Sequence, residues 1–255
     1  MSVATEGVEE MLFEGAQETR QASKFIRICA KIDELLEQVQ KDDVVEINLP
    51  DELGMNEADA HVLEAIHSIY IADRIGNKLL FKYDGGSKRT IHRRLANSAE
   101  AFNPAWFVES NITCCVGRTE LQPDVGIWII PPTQAQCINP IVNRCPPPDV
   151  WIEVFFDRDL DRSNVINSIN HCKRFRNGIE YVGIAIPETT RQNSNPAQAS
   201  TAVVRQNNRP NQPPYGIHWD INGNPPVYFT YTWNNHLVLT CGWTLDFNIV
   251  LNAIP

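Results

Sequence analysis

Three stretches of this chain are apolar at nearly every position: residues 125–130 (VGIWII), 150–156 (VWIEVFF) and 181–186 (YVGIAI). A strand with one wet face alternates apolar and polar residues, whereas a strand covered on both faces does not. Each run is also too short for a typical helix and of ordinary strand length. They therefore predict a sheet buried on both sides, which requires helices on each face and places the chain in the α/β class.

The intervening sequence supplies those helices. Residues 21–40 carry Phe25, Ile28, Ile32, Leu35, Leu36 and Val39 at helical spacing, following a frayed or loosely helical segment 1–20. Residues 57–74 place Ala58, Val62, Ala65, Ile66 and Ile69 on one face, with Gly76-Asn77 as the stop. Ser87 is positioned to cap a helix over 88–102, with Ile91, Leu95, Ala99 and Phe102 inward. Asp161 or Ser163 is positioned to open another helix over 164–175. Further strands are expected at 44–49, 79–83, 107–116, 227–233, 236–241 and 243–251. Residues 131–149 read as a Pro-rich loop, and 188–214, rich in Asn, Gln, Pro and Arg, as a polar insertion that buries little. The Asp84-Gly85-Gly86 turn divides an N-terminal, mainly helical extension (1–84) from an α/β region (85–255), although the two halves could share a sheet.

The chain's 255 residues suffice for one sizeable core, or at most two. The net charge of -9 is uneven. Residues 1–60 hold 15 acids and 5 bases, leaving 16 acids and 17 bases elsewhere, so any nucleic-acid face belongs to the near-neutral remainder. Seven cysteines at irregular spacing, with no CxxC pair, argue against a zinc ribbon. Cys137 and Cys145 flank the Pro-rich loop and could pair, but reduced thiols fit the pattern better. The acidic N-terminus has no apolar signal region, and no run approaches the length of a membrane span, so a soluble intracellular protein without membrane association is expected.

Two acids interrupt this apolar pattern. Asp124 follows Pro123 and begins the first buried run; Glu153 sits inside the second. A carboxylate in a buried strand is costly unless paired, and a divalent cation pairs it well. The commonplace alternatives are a turn aspartate after proline for Asp124 and an ion pair with Arg158 for Glu153. Likewise, Lys173 reads as a solvated helix residue, and His92, beside Arg93 and Arg94, as a surface residue with a phosphate-facing role as the alternative. Asp157, Asp159 and Asp161 lack the glycine and final glutamate of a calcium loop. Trp219, Trp233 and Trp243 fit packing better than base stacking. Arg191, Arg205 and Arg209 fit a solvated loop as well as a backbone contact. Phosphate-binding glycine loops, HExxH and GxSxG are absent from the sequence.

Taken in order, His92 with Leu95, Pro123-Asp124-Val125, Glu153-Val154, Gly178-Ile179-Glu180-Tyr181 and Gly242-Trp243-Thr244-Leu245-Asp246 resemble the putative restriction endonuclease family of the PD-(D/E)XK nuclease superfamily. The resemblance covers roughly residues 85–251. It implies a restriction-endonuclease-like core, a central mixed β-sheet flanked by helices, with Asp124 and Glu153 holding Mg²⁺ (or Mn²⁺) for hydrolysis of DNA. It also implies a lysine that orients water or stabilises phosphate charge. The superfamily position for that lysine, two residues after the glutamate, is Phe155 here, and the migrated position in the next helix falls near Asn170. Lys173 is the nearest lysine, so it becomes the third candidate catalytic residue. Enzymes that cut both strands are commonly dimers, which admits a homodimer. The displaced lysine equally admits a second function class: a catalytically degenerate nuclease-fold protein that binds nucleic acid or protein.

Overall fold

The computed structural model describes residues 3–37, 45–49, 53, 56–81, 86–156, 159–175, 178–186, 215–223, 225–232 and 236–251. The 188–214 insertion expected from composition lies outside them.

At the centre is a six-stranded mixed sheet containing all three apolar runs. They form β7 (Val125–Trp128), β8 (Val150–Phe156) and β9 (Glu180–Ile186). β8 and β9 are parallel, joined by the crossover helix α5 (Asp159–Phe175). β4 (Phe107–Glu109) completes one edge; β10 (Tyr215–Trp219) and β11 (Tyr228–Thr232) complete the other. Burial on both faces explains the lack of alternation. On one face Val125, Ile127, Ile152, Val154, Val182 and Ile184 pack against Ile91, Leu95 and Ala99 of α3 (Gly86–Phe102). Phe247 and Val250 of the short α6 (Phe247–Leu251) join them. On the other face Trp151, Phe155 and Tyr181 pack against Val165, Ile169 and Cys172 of α5. Each such large side chain removed from water contributes about 1.5–3 kcal/mol. A mixed sheet flanked by helices is the architecture expected from the sequence.

A second, five-stranded antiparallel sheet draws on both sides of residue 84. Its order is β1 (Val45–Asn48), β3 (Lys78–Phe81), β2 (Ala72–Ile75), β6 (Thr119–Leu121) and β5 (Cys114–Val116). It is covered by α1 (Val3–Glu37) and α2 (Glu57–Ile69) through Ile28, Ile32, Val62, Leu63 and Ile66. Asn56 caps α2 by accepting the Asp59 N–H at 2.8 Å, and Lys24 of α1 pairs with Asp59 at 2.7 Å. Glu64 of α2 reaches the other half of the chain. Its carboxylate accepts the N–H groups of Ile141 and Val142 at 2.7 and 3.0 Å.

Several expected elements differ from those observed. The helix expected over 57–74 ends at Ile69, because Tyr70 is already extended and residues 72–75 pair with β3. Gly76-Asn77 is the hairpin turn between them, with Gly76 at φ +63°, not a helix stop. The single strand expected over 107–116 breaks at Asn111, φ +58°, into strands of two different sheets. The terminal run is not a strand hairpin throughout. After the two-residue ladder of β12 (Leu237–Val238) and β13 (Thr244–Leu245), Asp246 caps α6 by accepting the Asn248 N–H at 2.8 Å. The Pro-rich loop holds a short helix, α4 (Gln134–Ile138), opened by a reciprocal capping box between Thr133 and Gln136. All seven cysteines are free, Cys137 and Cys145 included.

Candidate active site

The chain leaves the second sheet at β6 and enters the central sheet at β7 through Gln122-Pro123-Asp124. Asp124 is therefore placed where the two sheets meet, and it is 2% exposed. The last ladder pair between β7 and β8 is Val125 with Ile152. Beyond it the strands part, since the Pro123 carbonyl accepts the Asn111 N–H at 3.0 Å. The Asp124 carboxylate supplies the missing acceptor and takes the Val154 N–H at 2.6 Å. An isolated buried N–H would otherwise cost about 1–3 kcal/mol. The fold thus brings Asp124 to the backbone of the residue next to Glu153.

Glu153 lies mid-strand in β8 and is also 2% exposed. Its side chain shares a sheet face with Trp151, whose indole N–H donates to Oε1 at 2.8 Å. Arg158, the alternative partner, lies outside the described residues. His92 of α3 stands on Asp124 from the opposite face, its Nε2 3.6 Å from Oδ2. At 2% exposure it is no surface residue: the expectation that it faces solvent fails, because α3 turns this position towards the sheet.

Lys173 is placed elsewhere. It is buried, contrary to the reading of a solvated helix residue, and its ammonium donates to the carbonyls of Asp220 at 2.6 Å and Ile221 at 3.2 Å. Burial pushes its pKa down, partly countered by Asp220. Glu153 is in register with Gly183, and Gly183 with Ile217. Asp220 is three residues beyond that row, about 10 Å along the strand direction. The structure thus joins the Asp124 carboxylate to the backbone beside Glu153 and holds Lys173 at the turn after β10. Asn170, the position nearer the family pattern, accepts the Trp219 indole N–H at 3.1 Å.

Two hard carboxylates suit Mg²⁺ or Mn²⁺, which bind through one or two such groups and complete their shell with water and phosphate oxygens. The donor set of Asp124 and Glu153 fits that chemistry. Among the described residues no cluster of three or more His, Cys, Asp or Glu suited to a metal is found.

Two other buried polar arrangements escaped sequence reading. Glu180 accepts from His218 at 2.9 Å and from the Thr240 N–H and hydroxyl at 2.9 and 2.6 Å. Burial alone would raise its pKa; these hydrogen bonds outweigh it and hold the carboxyl below the usual range. It ties the segment between β12 and β13 to the sheet. In the second sheet Arg74 forms a buried two-pronged pair with Glu120, and Asp73 accepts the Gln122 N–H at 2.7 Å. His67 lies beside this pair, and burial together with Arg74 lowers its pKa to about 4. The usable signal was a charged residue within short apolar stretches, such as 72–75 and 119–121, whose brevity hid them as strands.

Among the described residues no helix is long and apolar enough to cross a membrane. No family model matches the chain, and no curated protein matches it. Among solved structures it is similar to a putative nuclease belonging to DUF820 from Anabaena variabilis ATCC 29413, with 14% identity, 72% of this chain and 91% of that chain covered, and a TM-score of 0.49.

Proposed function

We propose that this protein is a metal-dependent nuclease that hydrolyses phosphodiester bonds in DNA, with Asp124 and Glu153 as its metal ligands. The observation that supports the reading is that the almost fully buried Asp124 carboxylate, where β7 and β8 part, accepts the N–H of Val154, the residue next to the equally buried Glu153. Mg²⁺ or Mn²⁺, when bound, would activate water and offset charge on the phosphate. The protein's own part is positional. The Val154 N–H fixes the Asp124 carboxylate, the Trp151 indole fixes Glu153, and both are shielded from bulk water by their burial.

The test is calorimetric titration with Mn²⁺, followed by a plasmid-cleavage assay, on wild type and an Asp124→Ala, Glu153→Ala double mutant. Metal binding and cleavage that both vanish in the mutant support the assignment. Cleavage retained by the mutant overturns it.

One observation favours a second reading, in which the fold binds nucleic acid or protein without cutting it. The Lys173 ammonium is committed to the backbone carbonyls of Asp220 and Ile221. Wild-type protein that binds DNA in Mn²⁺ but leaves it intact would favour this alternative.

A further inference from the structure

His92 has two neighbourhoods. Its ring meets Asp124 on one side, and on the other it forms part of the floor of an open cleft of about 380 Å³ between α3 and the end of β4. Arg89 and Arg93 line the same cleft. They are four residues apart, one helical turn, and so project from the same side of α3. Both are exposed, in contrast to Ile91 and Leu95, which face the core. The facing wall includes Asn111, whose N–H is fixed to the Pro123 carbonyl. The turn that presents Asp124 therefore also braces the cleft.

We propose that the Arg89–Arg93 end of this cleft seats a phosphodiester of a nucleic-acid strand, with His92 between that phosphate and Asp124. Guanidinium groups are suited to this because each presents a planar fork of donors to phosphate oxygens. Two carboxylates also line the cleft, Glu100 and Glu109. Glu100 lies about 10 Å along α3 from Arg93, and Glu109 is on the facing wall at the end of β4. Glu100 repels an anion from its own end of the cleft and so favours the end that carries both arginines, with the Glu109 charge opposing the seat from the facing wall. The chain's net charge of -9 makes indiscriminate adsorption of nucleic acid weak, so a local cationic seat has to supply the contacts. This inference rests on the nuclease reading for its substrate class, but it concerns binding, which can be measured without cleavage.

The experiment is fluorescence anisotropy of a labelled duplex and of its single strand, in EDTA, over a salt series. The proteins are wild type, the Arg89→Glu, Arg93→Glu double mutant, and Arg174→Glu as a control for charge on a distant exposed site of α5. Thermal melting verifies that each is folded. The expected result is an affinity loss of at least about tenfold in the double mutant, with the salt slope reduced by about two, and little change in the control. An equal loss in the control, no loss in the double mutant, or no binding of either probe by wild type at low salt would overturn the proposal. Preference for duplex or single strand identifies which form fits the cleft, and inorganic phosphate as competitor tests whether a free anion suffices. Arginine-dependent binding with no Asp124-dependent metal uptake would leave the cleft standing and sink the nuclease reading. The converse pair of results would do the opposite.

Discussion

The Asp124 carboxylate completes the β7–β8 ladder by accepting the Val154 N–H at 2.6 Å. One side chain thus does two jobs that can be separated. It satisfies a buried backbone donor, which any oxygen acceptor can do, and in the proposed site it supplies a charged ligand to the metal, which only a carboxylate can.

Asp124→Asn is expected to retain most of the stability, since its amide oxygen can still accept from Val154, and to lose metal binding. Asp124→Ala is expected to lose metal binding and a further 1–3 kcal/mol or so, the cost of stranding the N–H. Urea denaturation checks the stability of the two variants and Mn²⁺ calorimetry their binding. Equal stability in both would show that Val154 finds another partner.

Gly216 of β10 is required by the ring of Phe247. A Cβ built at this position would lie 2.4 Å from Cζ of that ring, which is buried with the α6 end of the core. Gly216→Ala is expected to destabilise by about 1–3 kcal/mol through overpacking. Phe247→Leu should recover part of that loss in the double mutant, as measured by urea denaturation. Losses that simply add would place the strain elsewhere.

The three unbroken apolar runs were legible because complete burial leaves no alternation to misread, and they fix the central sheet. Asp124 and Glu153 were legible for the same reason, as charges where the pattern allows none. The second sheet was obscured because β2, β5 and β6 have only three or four residues, and β2 and β6 carry buried charges, Asp73, Arg74 and Glu120, that are satisfied by partners distant in sequence. The commitment of Lys173 was hidden for a related reason. Its partners are backbone carbonyls on a turn 47 and 48 residues away, and no side-chain pattern marks a carbonyl as an acceptor. His92 was misread because two arginines follow it, although the helical period turns it inward and them outward.

His67 should make stability depend on pH. Its pKa is about 4 in the folded protein against an ordinary 6.5. The unfolded chain therefore takes up the proton first as pH falls, and stability declines between about pH 6.5 and 4. At 1.36 kcal/mol per pKa unit, the decline reaches roughly 3 kcal/mol. His67→Gln should show a shallower decline than wild type over that window by denaturant unfolding, the difference isolating this group from titrating carboxylates. Parallel curves would mean that the imidazole accepts its proton in place.

Lys173→Met distinguishes a lysine that holds a turn from one that acts on substrate. Methionine keeps much of the buried stem and removes the donors to Asp220 and Ile221. If holding the turn is the whole role, the variant loses about 1–3 kcal/mol, while Mn²⁺ affinity and DNA affinity stay within about twofold of wild type. Cleavage per folded molecule should likewise be retained. Loss of cleavage with stability and both affinities intact would mean instead that the turn after β10 releases the lysine when substrate binds, and would return Lys173 to the reaction.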